Sequence, residues 1–425
     1  MSILPKDISD LLKHLRKQSE KTPLSERLTP SLENLPQRLR PIQKSSPHSV
    51  EQFWNRLLEE SPVGEQEKLE IADPVSVKRA TDYKSNIENY IGTTKIPVGL
   101  VGPLRVNGLN AKGDYFVPMA TSEAALVASY GRGVDVCTKS GGITSAVIKE
   151  GILRTPAFVL DNLLQAGLFV NWIEENAKDI KEIAESTTGY GKLIQIEPFM
   201  DVDVVFLVCR FTTGDAAGQN MVTVATQAIM MFIEQNCPIK PKHAFIEANF
   251  SGDKKASYLG MHNGRGKKVT ASVTVPYTII KRYLRAEPEK MLAYGRVAGL
   301  GATLSGQLGA QAHYANGLAA LYIATGQDAA CVAESAVGFT RMEDREDALF
   351  FSVTMPNILA GTVGGGTSLP SQHAGLQILG LAGSGHAKAL AEVIAAVCLC
   401  GEISIIAAIS AGHFASAHKK LARLR

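Results

Sequence analysis

The chain of 425 residues has no C-x-x-C pair, no G-x-G-x-x-G turn and no G-x-x-x-x-G-K-[ST] loop. The first absence argues against structural zinc or a thioredoxin-like redox motif, and no metal site is expected. The other two remove the familiar dinucleotide fingerprint and the Walker A phosphate loop. Charge of one sign is also missing. Lys and Arg total 44 against 41 Asp and Glu, for a net +3, which argues neither for nor against an anionic partner and gives no reason to expect nucleic acid. The six cysteines, Cys137, Cys209, Cys237, Cys331, Cys398 and Cys400, sit mostly in apolar runs and read as buried thiols of a reducing compartment. The chain is charged within its first six residues, unlike a secretory leader, so a cytoplasmic protein is expected. One apolar stretch, 393–412, has the length of a membrane span, but Glu402 interrupts it and small residues crowd it. A buried helix is expected there, and no membrane partner.

What is present is ordinary globular composition, 45% hydrophobic and 20% charged, over a length that suits two domains or one large domain with an insertion. Residues 1–50 mix Lys6, Lys13, Arg16 and Lys17 with Leu11, Leu12 and Leu15, then carry Pro23, Pro30, Pro36, Pro41 and Pro47. They predict an arm with one amphipathic helix and an extended remainder, docked on the body or on a second subunit. Residues 51–156 and 249–425 read as one large domain. A helix is expected from Ser122 onward, capped by Thr121 or Ser122, with Glu123 in its first turn as a partly buried carboxylate. Residues 157–248 read as an inserted small α+β unit: helix over 160–186, strand over 202–212, a small-residue turn at 213–221, helix over 222–234 and strand over 243–247.

The stretch 309–328, GAQAHYANGLAALYIATGQD, concentrates the chemistry. A helix apolar all round is buried all round, which places it at the centre of a core. It carries His313 and Asn316, spaced for one face, and it ends at Asp328. That carboxylate is either a structural group satisfied by backbone donors or part of an active site. Two glycine-rich turns could face a phosphate-bearing cofactor. TGDAAGQNM precedes a helix, whose free amides suit an anion, and GTVGGGTS leaves room for close backbone approach. Each signal is weak by itself.

Together they are specific. ENYIGTTKIPVGLVGPL, PMATSEAALVAS, TGDAAGQNM, DKK, HYAN…GQDAA and GTVGGGTSLPSQ occur in that order. The chain resembles the 3-hydroxy-3-methylglutaryl-CoA reductases over about residues 80–425, the class I form more than the class II form. The resemblance implies an α+β fold, with a large mixed domain built around a buried central helix and a small inserted ferredoxin-like cofactor domain. It also implies NADPH as cofactor, an acyl-CoA substrate, and a homodimer or tetramer whose active site lies between subunits. Glu123 matches the general acid, Lys254 the lysine that stabilises the oxyanion, Asp328 the aspartate between them, and His418 the histidine that protonates the leaving thiolate. Asp215, Asn220, Met221, Thr362, Gly364, Gly365, Gly366 and Thr367 match the cofactor turns. Glu88, Asn89, Arg132, Arg154, Asp253, Lys255, His313, Asn316 and His413 match positions on the substrate side.

The implied chemistry is coherent. Two hydride transfers each place negative charge on a carbonyl oxygen, which an ammonium stabilises. The aldehyde step needs a carboxylic acid of raised pKa at Glu123, and thiolate release needs a proton donor such as His418. Three positions depart from the pattern: Glu247 stands where serine is usual, Arg296 where lysine is expected and Asp135 where arginine is usual. A carboxylate near an anionic ligand is repulsive unless it turns away. The alternatives are therefore a reductase of another acyl thioester or a catalytically silent CoA-binding homologue.

Overall fold

The structure is a computed structural model and describes residues 5–19, 30, 32–33 and 45–412. Helix α1 (Lys6–Ser19) forms as expected, with Ile8, Leu11 and Leu12 left exposed. Helix α2 (Pro47–Glu60) opens on a proline at its first turn, where no N–H is needed, and Ser46 caps it by accepting from the Ser49 amide. Val50, Trp54, Ala72, Ala80 and Tyr90 form a small satellite core, closed by a hydrogen bond of 2.7 Å from Trp54 Nε1 to the Ile91 carbonyl.

The body begins with a hairpin, β1 (Val98–Gly108) and β2 (Lys112–Ala120), followed by α3 (Leu126–Lys139) and β3 (Ile143–Arg154). Strand β3 joins two halves of one sheet. Its residues 144–151 pair with β8 (Gly266–Pro276), and its last three pair with β6 (Val204–Thr212). Gly151 sits at the handover with φ +153°, and a Cβ there would lie 2.7 Å from Arg210 Cγ. Beyond it, β4 (Ala157–Val159), α4 (Leu163–Glu175), α5 (Ala177–Ser186), β5 (Lys192–Asp201), β6, α6 (Gln219–Asn236) and β7 (His243–Phe245) follow a βαββαβ path. Their strands lie in the order β7-β4-β6-β5, all antiparallel, which is the split-βαβ arrangement. The single helix expected over 160–186 breaks at Asn176, whose side chain bonds back to the Trp172 carbonyl. Strand β5 was not foreseen, because most of its residues are exposed and carry no clear alternation.

The other half runs β3-β8-β11-β10-β9, with β9 (Gly309–Ala310), β10 (Gly338–Arg345) and β11 (Ala348–Ile358). Strands β8 and β11 alternate buried and partly exposed residues, so one face meets a core. Helices α7 (Pro288–Ser305), α8 (Tyr314–Thr325), α9 (Pro370–Ile378) and α10 (Ala387–Ser410) complete the body. The central buried helix is α10, packed between the sheet and helices α3, α7 and α8. Helix α8, on which the sequence reading centred, lies against it and leaves Ala315 exposed. Gly133 lets α3 close on α10, since a Cβ there would come within 2.0 Å of the Cys400 carbonyl oxygen.

The apolar stretch with membrane-span length is thus a core helix, 83% buried over its most apolar window. It buries two carboxylates, each saturated by donors. Glu392 accepts from the amides of Asn110, Ala111 and Val147 and from the Asn110 side chain. Glu402 accepts from the amides of Ala312 and His313 and from the Thr340 hydroxyl. The helix therefore pins the β1–β2 turn, the start of β3 and the entry to α8. Glu392→Ala removes the acceptor of three amides, buried at Ala111 and part-buried at Asn110 and Val147, at about 1–3 kcal/mol for each that water cannot reach. A loss of roughly 3 kcal/mol or more is expected in denaturant titration, and a loss below about 1 kcal/mol would show that water replaces the carboxylate.

Candidate active site

Lys254 lies in the loop after β7, with φ +57°, a left-handed conformation uncommon for a side-chain-bearing residue. Its Nζ stands 3.0 Å from Asp328 Oδ2. Asp328 follows the glycine that ends α8, Gly326, and its Oδ1 accepts from the Ala330 amide. The expectation of a buried charge at the end of a buried helix is corrected here: the two side chains are 45% and 41% exposed, because the chain leaves the core at Gly326. A half-exposed ion pair contributes at most about 1 kcal/mol, so stability does not account for the pairing. Asp328 raises the Lys254 pKa more than burial lowers it, and the group stays an ammonium at neutral pH.

The loop is held from beneath. Glu334, 1% exposed, accepts from the Lys254 amide at 2.9 Å and from Arg265 Nη1 at 2.7 and 2.8 Å. Arg265 Nη2 approaches Asp253 Oδ1 at 3.0 Å, and Arg154 Nη1 reaches the other oxygen of Asp253 at 3.4 Å. Lys255 Nζ donates to the Asp253 carbonyl. Neither Arg265 nor Glu334 was singled out from sequence. The signal for Glu334 is a lone carboxylate in the apolar run AACVAESAV, and Arg265 lies in the turn-prone run NGRGKK, where nothing local marks it.

Glu247 is not left as a lone carboxylate. It pairs with Arg154, Oε2 to Nη1 at 3.2 Å, while Arg296 stands exposed on α7. Asp135 pairs with Lys139. Arg132 is committed to α10, donating to the Ser404 carbonyl at 2.7 Å and to its hydroxyl. His313 lies just before α8 rather than on its face with Asn316, its Nε2 2.9 Å from the Gly401 carbonyl. Glu88 is exposed and Asn89 takes φ +51°.

Glu123 is also placed differently from expectation. Helix α3 starts at Leu126, with Ala125 in the left-handed region at its cap, so Glu123 belongs to the preceding loop. Thr121 accepts from the Glu123 amide at 3.0 Å rather than capping a helix. The Glu123 side chain is exposed, not the partly buried carboxylate that was expected. His413 and His418 lie outside the described residues.

The two glycine-rich turns meet through Asp215. Its carboxylate accepts from the amides of Gly385 and Ala387 at the start of α10, at 2.7 and 3.1 Å. Its carbonyl accepts from the Thr362 amide at 2.8 Å. Thr362 and Thr367 spend their hydroxyls on the Gly383 and Gly364 carbonyls. Gly364 and Gly365, at φ +74° and +54°, border open space, whereas Gly366 abuts Gly326. Gln327 accepts from the Gly361 amide at 2.8 Å. The turn bearing Asp328 is therefore built directly onto the second glycine loop. Helix α6 begins at Gly218 with no side-chain cap, with Asn220 exposed and Met221 accepting from the Thr188 hydroxyl.

Burial alone would raise the Asp215 pKa, but its two backbone N–H bonds, with Lys267 and His386 nearby, outweigh burial and the net shift is downward. A carboxyl depressed in the folded state contributes stability above its unfolded value of about 3.9 and loses it as pH falls through the folded value. Asp215→Asn is expected to cost about 1–2 kcal/mol near neutral pH, with the gap to wild type narrowing below about pH 4. Denaturant titration across pH is the check, and a constant gap would mean that the charge does not hold these loops together.

The geometry can be set beside known proteins. The sequence profile described as Hydroxymethylglutaryl-coenzyme A reductase matches residues 55–423. A 3-hydroxy-3-methylglutaryl-coenzyme A reductase of Methanocaldococcus jannaschii is 41% identical over 353 residues, 82% of this chain and 87% of that protein. Its counterpart from Pyrococcus horikoshii is 42% identical over 346 residues, 80% and 84% of the two chains. In fold, the chain is similar to the class II reductase of Streptococcus pneumoniae solved with NADPH, with a TM-score of 0.63 at 21% identity over 86% of this chain and 98% of that one. By profile and by relatives over most of its length, this chain belongs to the hydroxymethylglutaryl-coenzyme A reductase family.

Proposed function

We propose that the chain reduces 3-hydroxy-3-methylglutaryl-CoA to mevalonate and CoA in two NADPH-dependent steps, through the residues that the resemblance implies. The observation that carries this reading is the Lys254–Asp328 pair, set on a turn continuous with the glycine loop. When bound, NADPH would supply the hydride of each reduction, one molecule for the thioester carbonyl carbon and a second molecule for the aldehyde left when CoA departs. The fit for its anionic part lies in the uncapped start of α6 and the open glycines at 364 and 365. Residues 157–248 are then the inserted cofactor domain, and their βαββαβ path supports the ferredoxin-like description.

Lys254 carries the positive charge that the developing oxyanion needs, and Asp328 holds it protonated and oriented. Glu123 delivers the proton to the alcohol oxygen, and His418 protonates the leaving thiolate, each worth about 10²–10⁴ in rate. Glu123 is exposed in one chain, and large apolar side chains stand open on α7 (Val297, Leu300, Leu304) and α4 (Leu163, Leu164, Leu168). We read both as surfaces covered in a homodimer or tetramer, with the partner completing the site around Glu123. A folded, active monomer by light scattering would overturn that assembly.

Lys254→Ala is expected to abolish nicotinamide oxidation, a loss of about a hundredfold or more, while nicotinamide affinity and melting temperature stay near wild type. Retention of more than about a tenth of the rate would remove Lys254 from the oxyanion role.

One observation favours a different acyl thioester: Glu247 already neutralises Arg154, the arginine implied to meet the substrate carboxylate. We favour the ordinary substrate, because a Glu247 paired with Arg154 is not a free negative charge in the acyl pocket. The check is kcat/KM for the 3-hydroxy-3-methylglutaryl thioester against neutral acyl thioesters, in wild type and in Glu247→Ser. Wild type is expected to prefer the charged substrate. A wild type inactive on it, with activity gained in Glu247→Ser, would transfer the assignment to another thioester.

A further inference from the structure

We infer that the buried Arg265–Glu334 pair is a positioning device for Lys254: Glu334 grips the backbone of Lys254, Arg265 grips Asp253 beside it, and the ammonium is thereby presented to Asp328 in one geometry. The inference rests on the reading of Lys254 as the oxyanion stabiliser and assigns its alignment to two residues outside the implied catalytic set.

Three observations carry it. First, Lys254 is held at both ends by one short stretch of chain. Asp328 opens the turn Ala329–Cys331, and Glu334 lies in the helical turn Val332–Ser335 that follows directly. The former takes the ammonium at 3.0 Å and the latter the amide at 2.9 Å. Main chain and side-chain tip are thus referenced to the same element. Second, the backbone of Lys254 is in the left-handed region, a conformation that persists only where its surroundings over-determine it. The Glu334 bond to the amide supplies that constraint, with Asp253 beside it hydrogen-bonded by Arg154 and held electrostatically by Arg265. Third, the pair is itself fixed. Arg265 and Glu334 are each 1% exposed, the Arg265 amide donates to Asn357 Oδ1 at 2.8 Å, and Asn357 Nδ2 donates to the Glu334 carbonyl at 3.2 Å. The Ser335 hydroxyl donates to the Asn357 carbonyl, and the Tyr322 hydroxyl on α8 donates to Ser335. The chain of bonds runs from α8 to the loop of Lys254.

Stability alone is a poor reason for such a pair. A buried ion pair is commonly no better than apolar groups of the same volume, whereas a directional contact sets geometry. The Glu334 carboxylate does what an apolar residue could not: it accepts from an amide and a guanidinium at once.

The test uses the full-length protein in four forms besides wild type: Lys254→Ala, Glu334→Gln, Glu334→Ala, and the double variant Arg265→Met with Glu334→Leu, which replaces the pair by apolar groups and removes the risk of an unpaired buried charge. The readouts are kcat, KM for the 3-hydroxy-3-methylglutaryl thioester and for NADPH, and the melting curve. Misplacement by about 1 Å costs on the order of a hundredfold, so that loss in kcat is expected for Glu334→Ala and for the folded double variant, with both KM values within about threefold of wild type. Glu334→Gln keeps an acceptor for the Lys254 amide and is expected to recover about tenfold of the loss. A purely structural pair would instead lower the melting temperature, with kcat per folded molecule unchanged. A kcat within about twofold of wild type in the double variant, or in Glu334→Gln should the others fail to fold, overturns the inference. So does a loss confined to KM. Lys254→Ala separates the two levels: if it retains activity, the reading of Lys254 itself fails and the inference falls with it; if it is inactive while the Glu334 variants are not, only the positioning role is lost.

Discussion

The structure depends on one constraint: a 24-residue helix, α10, with an almost wholly apolar surface must be buried on every side. Three layers follow from it. The sheet covers one side, α3, α7 and α8 cover the others, and the elements at its ends and middle are tied to it by charge. Asp215 caps its start, Glu392 gathers the β1–β2 turn and β3, and Glu402 gathers the entry to α8. Arg132 donates to it at Ser404. Each tie joins an acidic or basic side chain to donors or acceptors of the backbone, and such bonds are directional. The helix sets the positions of segments far apart in sequence, including a residue of one glycine-rich turn and the helix that leads to Asp328.

The candidate site occupies the rim of this arrangement. Helix α8 leaves the core at Gly326, and from there Gln327 binds the glycine loop while Asp328 meets Lys254. Buried and exposed charges serve different ends here. Arg265 and Glu334 are hidden, and Glu334 takes both Arg265 Nη1 and the Lys254 amide, which ties the loop to the pair. Lys254 and Asp328 are half exposed, which leaves their pair open to solvent, as the proposed oxyanion role requires. A lysine with both functions in one environment would be either too buried to reach substrate or too loosely held to align.

Much of this was determined by the sequence alone. The order of six motifs and the all-apolar character of the last long segment are properties of the sequence itself, so the family resemblance and the buried helix were legible without coordinates, while the proximity of Lys254 to Asp328 was only implied by that resemblance. Strand β6 and helix α6 were readable for the same reason, through apolar runs bounded by small-residue turns. Tertiary structure decided what depends on partners distant in the chain. Whether Asp328 is buried depends on where α8 exits the core. Whether Glu247 faces the pocket depends on which arginine lies across the sheet junction, and Arg154 is 93 residues away. Glu123 lies in a loop because Ala125, not Thr121 or Ser122, stands at the helix cap. The clamp of Arg265 and Glu334 joins residues 69 apart, and no local pattern marks it, because an ion pair is a property of two positions brought together by folding and not of either residue's neighbours.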